Sequence, residues 1–138
     1  MKVFSMLNAK GKTVRLREDA DELTVDADGR YFAIPLAGEG DLVSVSVAEN
    51  MILAVTEQKG VSAYSYAGQL LFTLKELVGE DLPKILAATV MNPPEVLTFL
   101  ARVKNAPLIR ETVHYFCTCE GGKIFLIDLS DGSLVYSS

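Results

Sequence analysis

The chain has 138 residues, 49% of them hydrophobic, which suits one domain whose core needs no disulfide or metal staple. Its formal net charge of −5 argues against general nucleic-acid binding, which needs a basic footprint to displace counterions from phosphates. The apolar runs are far shorter than a membrane span, MKVFSML gives way to Asn8-Ala9-Lys10-Gly11-Lys12 before a signal-peptide core can form, and there are only two cysteines, so the expectation is a cytoplasmic protein in a reducing compartment with no membrane association.

In chain order, Lys2 to Leu7 and Lys12 to Arg17 read as two strands around an Asn-Ala-Lys-Gly turn, with Val14 and Leu16 alternating against Thr13, Arg15 and Arg17. The basic residues Lys2 to Arg17 precede a run of acids from Glu18 to Asp28, which reads as a solvated hairpin with opposite charges facing each other. Leu23-Thr24-Val25 and Tyr31-Phe32-Ala33-Ile34 flank Asp28-Gly29, a pair suited to the positive φ of a tight hairpin turn, and Pro35 places the second strand on an edge or ends it. Leu42 to Val47 alternates valine with serine, as expected for a half-buried strand. Met51 to Val55 and Ile124 to Ile127 are apolar on consecutive residues and are expected to be central strands covered on both faces.

After Leu74 the pattern changes. Asp81 and Pro83 can open a helix in which Leu82, Ile85, Leu86, Thr89 and Val90 recur at helical spacing. Asn92-Pro93-Pro94-Glu95 opens a second, with a capping box and a stripe of Val96, Leu97, Leu100 and Val103, ending at Asn105-Ala106-Pro107. The predicted fold class is α+β and mostly β: one domain over 1–138, with a β meander (2–74), an inserted helical hairpin (about 81–105) and a C-terminal β unit (109–137).

Met51 to Leu74 returns in altered form as Tyr115 to Tyr136. In both, an apolar run reaches a glutamate (Glu57, Glu120), then a glycine-bearing turn, a second run ending near Gly68 or Gly132, and a short outgoing strand. A fainter third copy starts at Phe4, which precedes Gly11 by the interval that separates Phe125 from Gly132.

Catalytic and metal motifs fail on spacing. Lys10-Gly11-Lys12-Thr13 has Met6 where a phosphate-binding loop needs its first glycine, and it leads into a strand. Asp26-Ala27-Asp28-Gly29 has Pro35 where a calcium loop needs its closing glutamate. His114 lies on the opposite strand face from Cys117 and Cys119, so these read as a surface histidine and two buried small hydrophobes. Glu57 and Glu120 read as solvated strand-end groups rather than an acid–base pair, and no G-x-S-x-G accompanies the serines. No catalytic, metal or cofactor-binding residue is assigned.

Gly122-Lys123-Ile124-Phe125-Leu126-Ile127-Asp128-Leu129-Ser130-Asp131-Gly132-Ser133-Leu134-Val135-Tyr136 resembles the blade repeat of quinoprotein-type and WD-like β-propellers, in which a strand ending near an aspartate turns at a glycine into an outer strand. The resemblance extends loosely over Val61 to Leu74 and faintly over Phe4 to Leu16, and it implies antiparallel, blade-like sheets in a chain too short for a closed ring of four-stranded blades. It carries no cofactor and no site residue.

The expected function is that of a non-catalytic protein-interaction or scaffold module, with the enzyme question left open. Tyr64 and Tyr66, which share a strand face with Ser62, are expected to form an exposed contact patch. Tyr136 and Val135, at an ungated terminal strand, are expected to support a homodimer through sheet edges. The alternative is a small-molecule-binding protein or enzyme with a pocket between the sheet and the two helices, lined by Met91, Phe99 and tyrosines.

Overall fold

The structure, a computed structural model, describes residues 2–7, 11, 13–27, 29–79, 82–103, 106 and 110–138. Along it run β1 (Lys2–Leu7), β2 (Thr13–Glu18), β3 (Glu22–Ala27), β4 (Arg30–Pro35), β5 (Leu42–Val47), β6 (Met51–Thr56), β7 (Gly60–Ser65), β8 (Leu70–Thr73), α1 (Leu74–Val78), β9 (Ile85–Met91), α2 (Pro93–Leu100), β10 (His114–Cys119), a single 3-10 turn (Glu120–Gly122), β11 (Ile124–Asp128) and β12 (Ser133–Ser137). The strands form three four-stranded antiparallel meanders in chain order: β1–β4, β5–β8 and β9–β12. The fold is therefore α+β and mostly β, as the periodicities predict.

Hydrophobic alternation explains how the sheets stack. Val14, Leu16, Leu23, Val25 and Ala27 leave one face of the first sheet and pack against Ile52, Ala54 and Tyr64 of the second. From the opposite face of the second sheet, Met51, Leu53, Val55, Val61 and Ala63 pack against Tyr115, Cys117, Phe125 and Ile127 of the third. Consecutive residues of β6 thus enter two different cores, which is why the strand is apolar throughout. On the far face of the third sheet, Leu126 and Phe116 meet Val96 and Leu100 of α2. The layers run first sheet, second sheet, third sheet, α2. Each fully buried leucine, isoleucine or valine in this stack contributes about 1.5–3 kcal/mol.

The repeat holds in three dimensions. Met51–Leu74 and Tyr115–Tyr136 supply the second, third and fourth strands of the second and third sheets. The turn between third and fourth strands carries a left-handed glycine in all three sheets: Gly29 (φ 79°), Gly68 (φ 85°) and Gly132 (φ 74°). Two of these glycines also give the preceding sheet close approach. A Cβ on Gly68 would lie 3.0 Å from Phe32 Cβ, and one on Gly132 would lie 3.1 Å from the Phe72 ring. The faint N-terminal copy is out of step, because Phe4 to Leu16 spans the first and second strands of its sheet. A glycine seven residues past an aromatic fits many hairpins, so that interval carried little information.

The first arm of the predicted helical hairpin is corrected: Ile85–Met91 is strand β9, paired with β10 from Cys119↔Ile85 to His114↔Met91, with a register break at Thr118/Cys119. Leu86, counted in the helical stripe, is 55% exposed, while Ala88 and Val90 point at the second sheet with a period of two. A partner strand beyond α2 overrides the local pattern. The second arm is a helix. Pro93 and Pro94 occupy its first positions, and the Glu95 carboxylate accepts the Asn92 N–H at 3.3 Å. Helix α1 was not anticipated; Thr73 caps it, its hydroxyl accepting the Glu76 N–H at 3.2 Å. The serine face of β5 is not wet as expected. It faces the third sheet, where the Ser46 and Tyr115 hydroxyls share a 3.3 Å hydrogen bond. Asn8, Ala9, Lys10, Lys12, Asp28, Asp81, Asn105 and Pro107, all given roles from sequence, lie outside the described residues.

Candidate functional site

The end of β11 and the turn that follows it carry the pattern Asp-x-Ser twice, Asp128–Ser130 and Asp131–Ser133. A short polar side chain two residues before a hydroxyl folds into a local turn. Asp128 is buried, and its Oδ1 accepts the Ser130 N–H (2.9 Å), the Ser130 hydroxyl (2.7 Å) and the Thr112 hydroxyl (2.8 Å). Its Oδ2 accepts Arg110 Nε–H at 3.3 Å and pairs with the Arg110 terminal nitrogen at 3.1 Å. The same guanidinium bonds Asp131, whose Oδ1 accepts the Ser133 N–H (2.9 Å) and hydroxyl (2.6 Å). Burial alone would raise the Asp128 pKa. The Ser130 and Thr112 hydrogen bonds, with His114 nearby, outweigh it and hold the carboxyl below its ordinary value. Asp131 is also lowered, first by the Ser133 hydroxyl and backbone bonds.

β-Register sets His114 directly across from Asp128 and Met91. Predicted to be a surface residue, it is fully buried, on the face of β10 that it shares with Phe116 and that packs toward α2. Its Nδ1 lies 2.9 Å from the Thr112 carbonyl, to which it donates, and its Nε2 has no hydrogen-bond partner among the described residues. Serine, histidine and aspartate therefore meet, but not as a nucleophilic triad. The Ser130 hydroxyl donates to Asp128 rather than to His114, and the histidine proton goes to a backbone carbonyl. The arrangement ties strand ends together; it does not activate an oxygen.

Beside this hub lies a cleft of about 270 Å³ at the seam of the second and third sheets. The β5–β6 turn supplies Ala48 and Met51, and the third sheet supplies Val90, Val113 and Leu129 as an apolar floor. Asn50, Asn92 and Ser130 stand among the polar groups of its rim. Asn92 caps α2, yet the helix end is no anion site: Pro93 and Pro94 lack N–H groups and the Glu95 carboxylate already occupies the cap.

The residues singled out from sequence are placed differently. Tyr64, only 8% exposed, is core between the first and second sheets. The Tyr66 hydroxyl, half-buried, donates to the Ala48 carbonyl at 2.7 Å, and burial pushes its pKa up to about 12. The expected exposed tyrosine patch is thus corrected, because the first sheet covers that face. Val135 and Tyr136 are half-buried beneath α2, with Tyr136 edge-on to Phe99 at 6.0 Å. Among the described residues β12 is an edge strand, paired with β11, and α1 runs alongside it. The space between sheet and helix, the expected small-molecule pocket, holds packed side chains instead: Phe99 meets Phe116 edge-to-face at 5.0 Å, with Met91 in the same cluster. Cys117 and Cys119 are free, buried and directed at the second sheet, and burial pushes the Cys117 thiol up to about 12. Glu57 accepts the Asp41 N–H at 2.7 Å and Glu120 is exposed in a different sheet's turn, so the two are not held together as a pair.

Sequence reading missed Thr112, Ser130 and Arg110. The doubled Asp-x-Ser was the available signal. Among the described residues, no group of three or more His, Cys, Asp or Glu side chains could hold a metal ion, and no helix is long and apolar enough to cross a membrane. No protein-family model, curated protein or solved structure matches the chain.

Proposed function

We propose that the chain is a non-catalytic interaction module, a series of blade-like sheets whose contact point is the cleft between the β5–β6 turn and the third sheet. The recurring meanders and turn glycines support the blade-like reading. The observation that carries the functional reading is the lining: a concave, mainly apolar floor with a few convergent polar groups at its rim. The hydroxyls of Thr112 and Ser130 at that rim already donate to Asp128, which fixes the shape of that side of the site. Such a cleft fits an apolar side chain of a protein partner, the kind of anchor that dominates contact energetics. Buried free thiols suit a reducing compartment.

Asn50 sits exposed on the rim, so Asn50→Trp fills the cleft mouth without disturbing the core. Affinity capture from native extract is expected to recover a protein with the wild-type chain and lose it with Asn50→Trp. Identical recoveries would reject the reading. The same lining favours a second reading, a small apolar ligand, and a metabolite thermal-shift screen separates the two. A compound that raises the melting temperature of the wild type but not of Asn50→Trp would favour the ligand.

A further inference from the structure

We propose that two copies of this chain pair through the outer face of the first sheet, each inserting Tyr31 into a recess beside Gly29 of the other. The inference goes beyond the cleft and is independent of it. Inside the molecule, every junction between sheets is completed in one way: the left-handed glycine between third and fourth strands receives an aromatic side chain from the fourth strand of the preceding sheet. Phe32 of β4 fills the place over Gly68, and Phe72 of β8 fills the place over Gly132. The series ends at α2, where Tyr136 of β12 meets Phe99 of the helix rather than another sheet. At the other end, Gly29 holds the equivalent turn position, and among the described residues nothing lies within 4 Å of where its Cβ would be.

That vacancy is a recess of about 260 Å³ bounded by Thr13, Arg15, Asp26, Gly29 and Tyr31. Unlike the internal junctions it has polar walls, so it suits a tyrosine better than a phenylalanine: the Asp26 carboxylate can accept a hydrogen bond from the phenol O–H and Arg15 can lie against a ring face. Tyr31 is the aromatic residue most exposed among those described, at 72%, and the chain itself therefore carries the fitting side chain. It sits on the same β4 as Phe32 but points the other way, so one strand offers an aromatic to each side. A two-fold axis perpendicular to the strands, between Tyr31 and the Gly29 turn, brings each Tyr31 over the other copy's Gly29 and sets the two rings side by side. Both insertions are then equivalent, as a closed two-fold pairing requires.

Four strands about 4.8 Å apart and six residues long present a face of about 400 Å² in plan, small beside the ~800 Å² per partner of a standard interface. The dimer should therefore be weak and reversible, seen at micromolar concentrations. Sedimentation of the wild type from low to high micromolar concentration is expected to show the mass rising from 15.0 kDa toward twice that value. Tyr31→Ser, at an exposed position that leaves the core alone, should stay monomeric throughout, and Thr13→Arg, which fills the recess from an exposed neighbour, should do the same. Tyr31→Phe should still dimerise, several-fold more weakly. A monomeric wild type at high micromolar concentration overturns the proposal, as does a dimer that persists in Tyr31→Ser or is lost only on Val135→Lys at the β12 edge. Hydroxyl-radical oxidation of Tyr31 gives a reading on the unaltered chain: it should fall as concentration rises, and a dimer whose Tyr31 oxidises like the monomer's defeats the assignment.

Discussion

Asp128 concentrates more polar bonds than any other described side chain, and its surroundings decide what its loss would do. It is buried, and its removal would leave the Thr112 and Ser130 hydroxyls without their acceptor. A part-buried and an exposed hydroxyl without their acceptor, and a broken ion pair whose guanidinium is largely exposed, put the cost of Asp128→Ala at about 1–2 kcal/mol, measurable as a lower urea midpoint with an unchanged slope. The pH dependence follows from the lowered pKa. The folded form holds the Asp128 proton less tightly than the unfolded chain does, so its stabilisation is complete above the ordinary value of 3.8 and is lost as pH falls through the lower folded value. Between neutrality and about pH 3 the wild type is thus expected to lose more stability than Asp128→Asn. Parallel losses would show that the hub contributes nothing through its charge. Asp131 titrates in the same direction, but it is exposed and solvent screening leaves it a small share.

At the level of elements, the turn glycines separate backbone strain from packing. Gly132→Ala and Gly29→Ala both force a Cβ onto a left-handed residue, which costs about 1–2 kcal/mol. Only at Gly132 does that Cβ also meet the Phe72 ring, so Gly132→Ala should be the more destabilising by about 1 kcal/mol in paired chemical denaturations. Equal effects would mean that the ring moves aside freely and the glycine is there for its φ alone. The same elements show what was legible beforehand. The consecutive apolar residues of β6 and β11 announced strands covered on both faces, and Pro-Pro-Glu announced α2, because these signals are local. β9 was misread because Leu82, Ile85, Leu86 and Val90 fit a helical stripe and its true partner, β10, lies beyond α2. The tyrosine patch failed for a related reason: alternation shows that Tyr64 and Tyr66 share a face but not that a whole sheet covers it. The cleft was out of reach altogether, since it draws on the β5–β6 turn, the end of β9, the residues just before β10 and those just after β11, segments that only the stacking of two sheets brings together.

For the whole molecule, the layered order predicts how it comes apart. Neighbouring layers touch, and the second sheet joins the two large cores, giving Ile52 and Ala54 to one and Leu53 and Val55 to the other. In such nearest-neighbour stacks stability is close to a sum over layers and junctions, and the layer with one uncovered face opens first. The first sheet is the sheet so placed: Arg15, Arg17 and Tyr31 face outward, and among the described residues its core packs against the second sheet. Native-state hydrogen exchange should therefore find the amides of β2 and β3 less protected than those of β6, β7, β10 and β11, at protein concentrations low enough to keep the chain monomeric. Ile52→Ala, which cuts into that junction at a cost of about 2–5 kcal/mol, should speed exchange in β2 and β3 while leaving β10 and β11 nearly unchanged. Leu53→Ala, one residue along but facing the third sheet, should do the reverse. If both substitutions raise exchange in every strand by the same factor, the three sheets unfold as one unit and the layers have no separate stability.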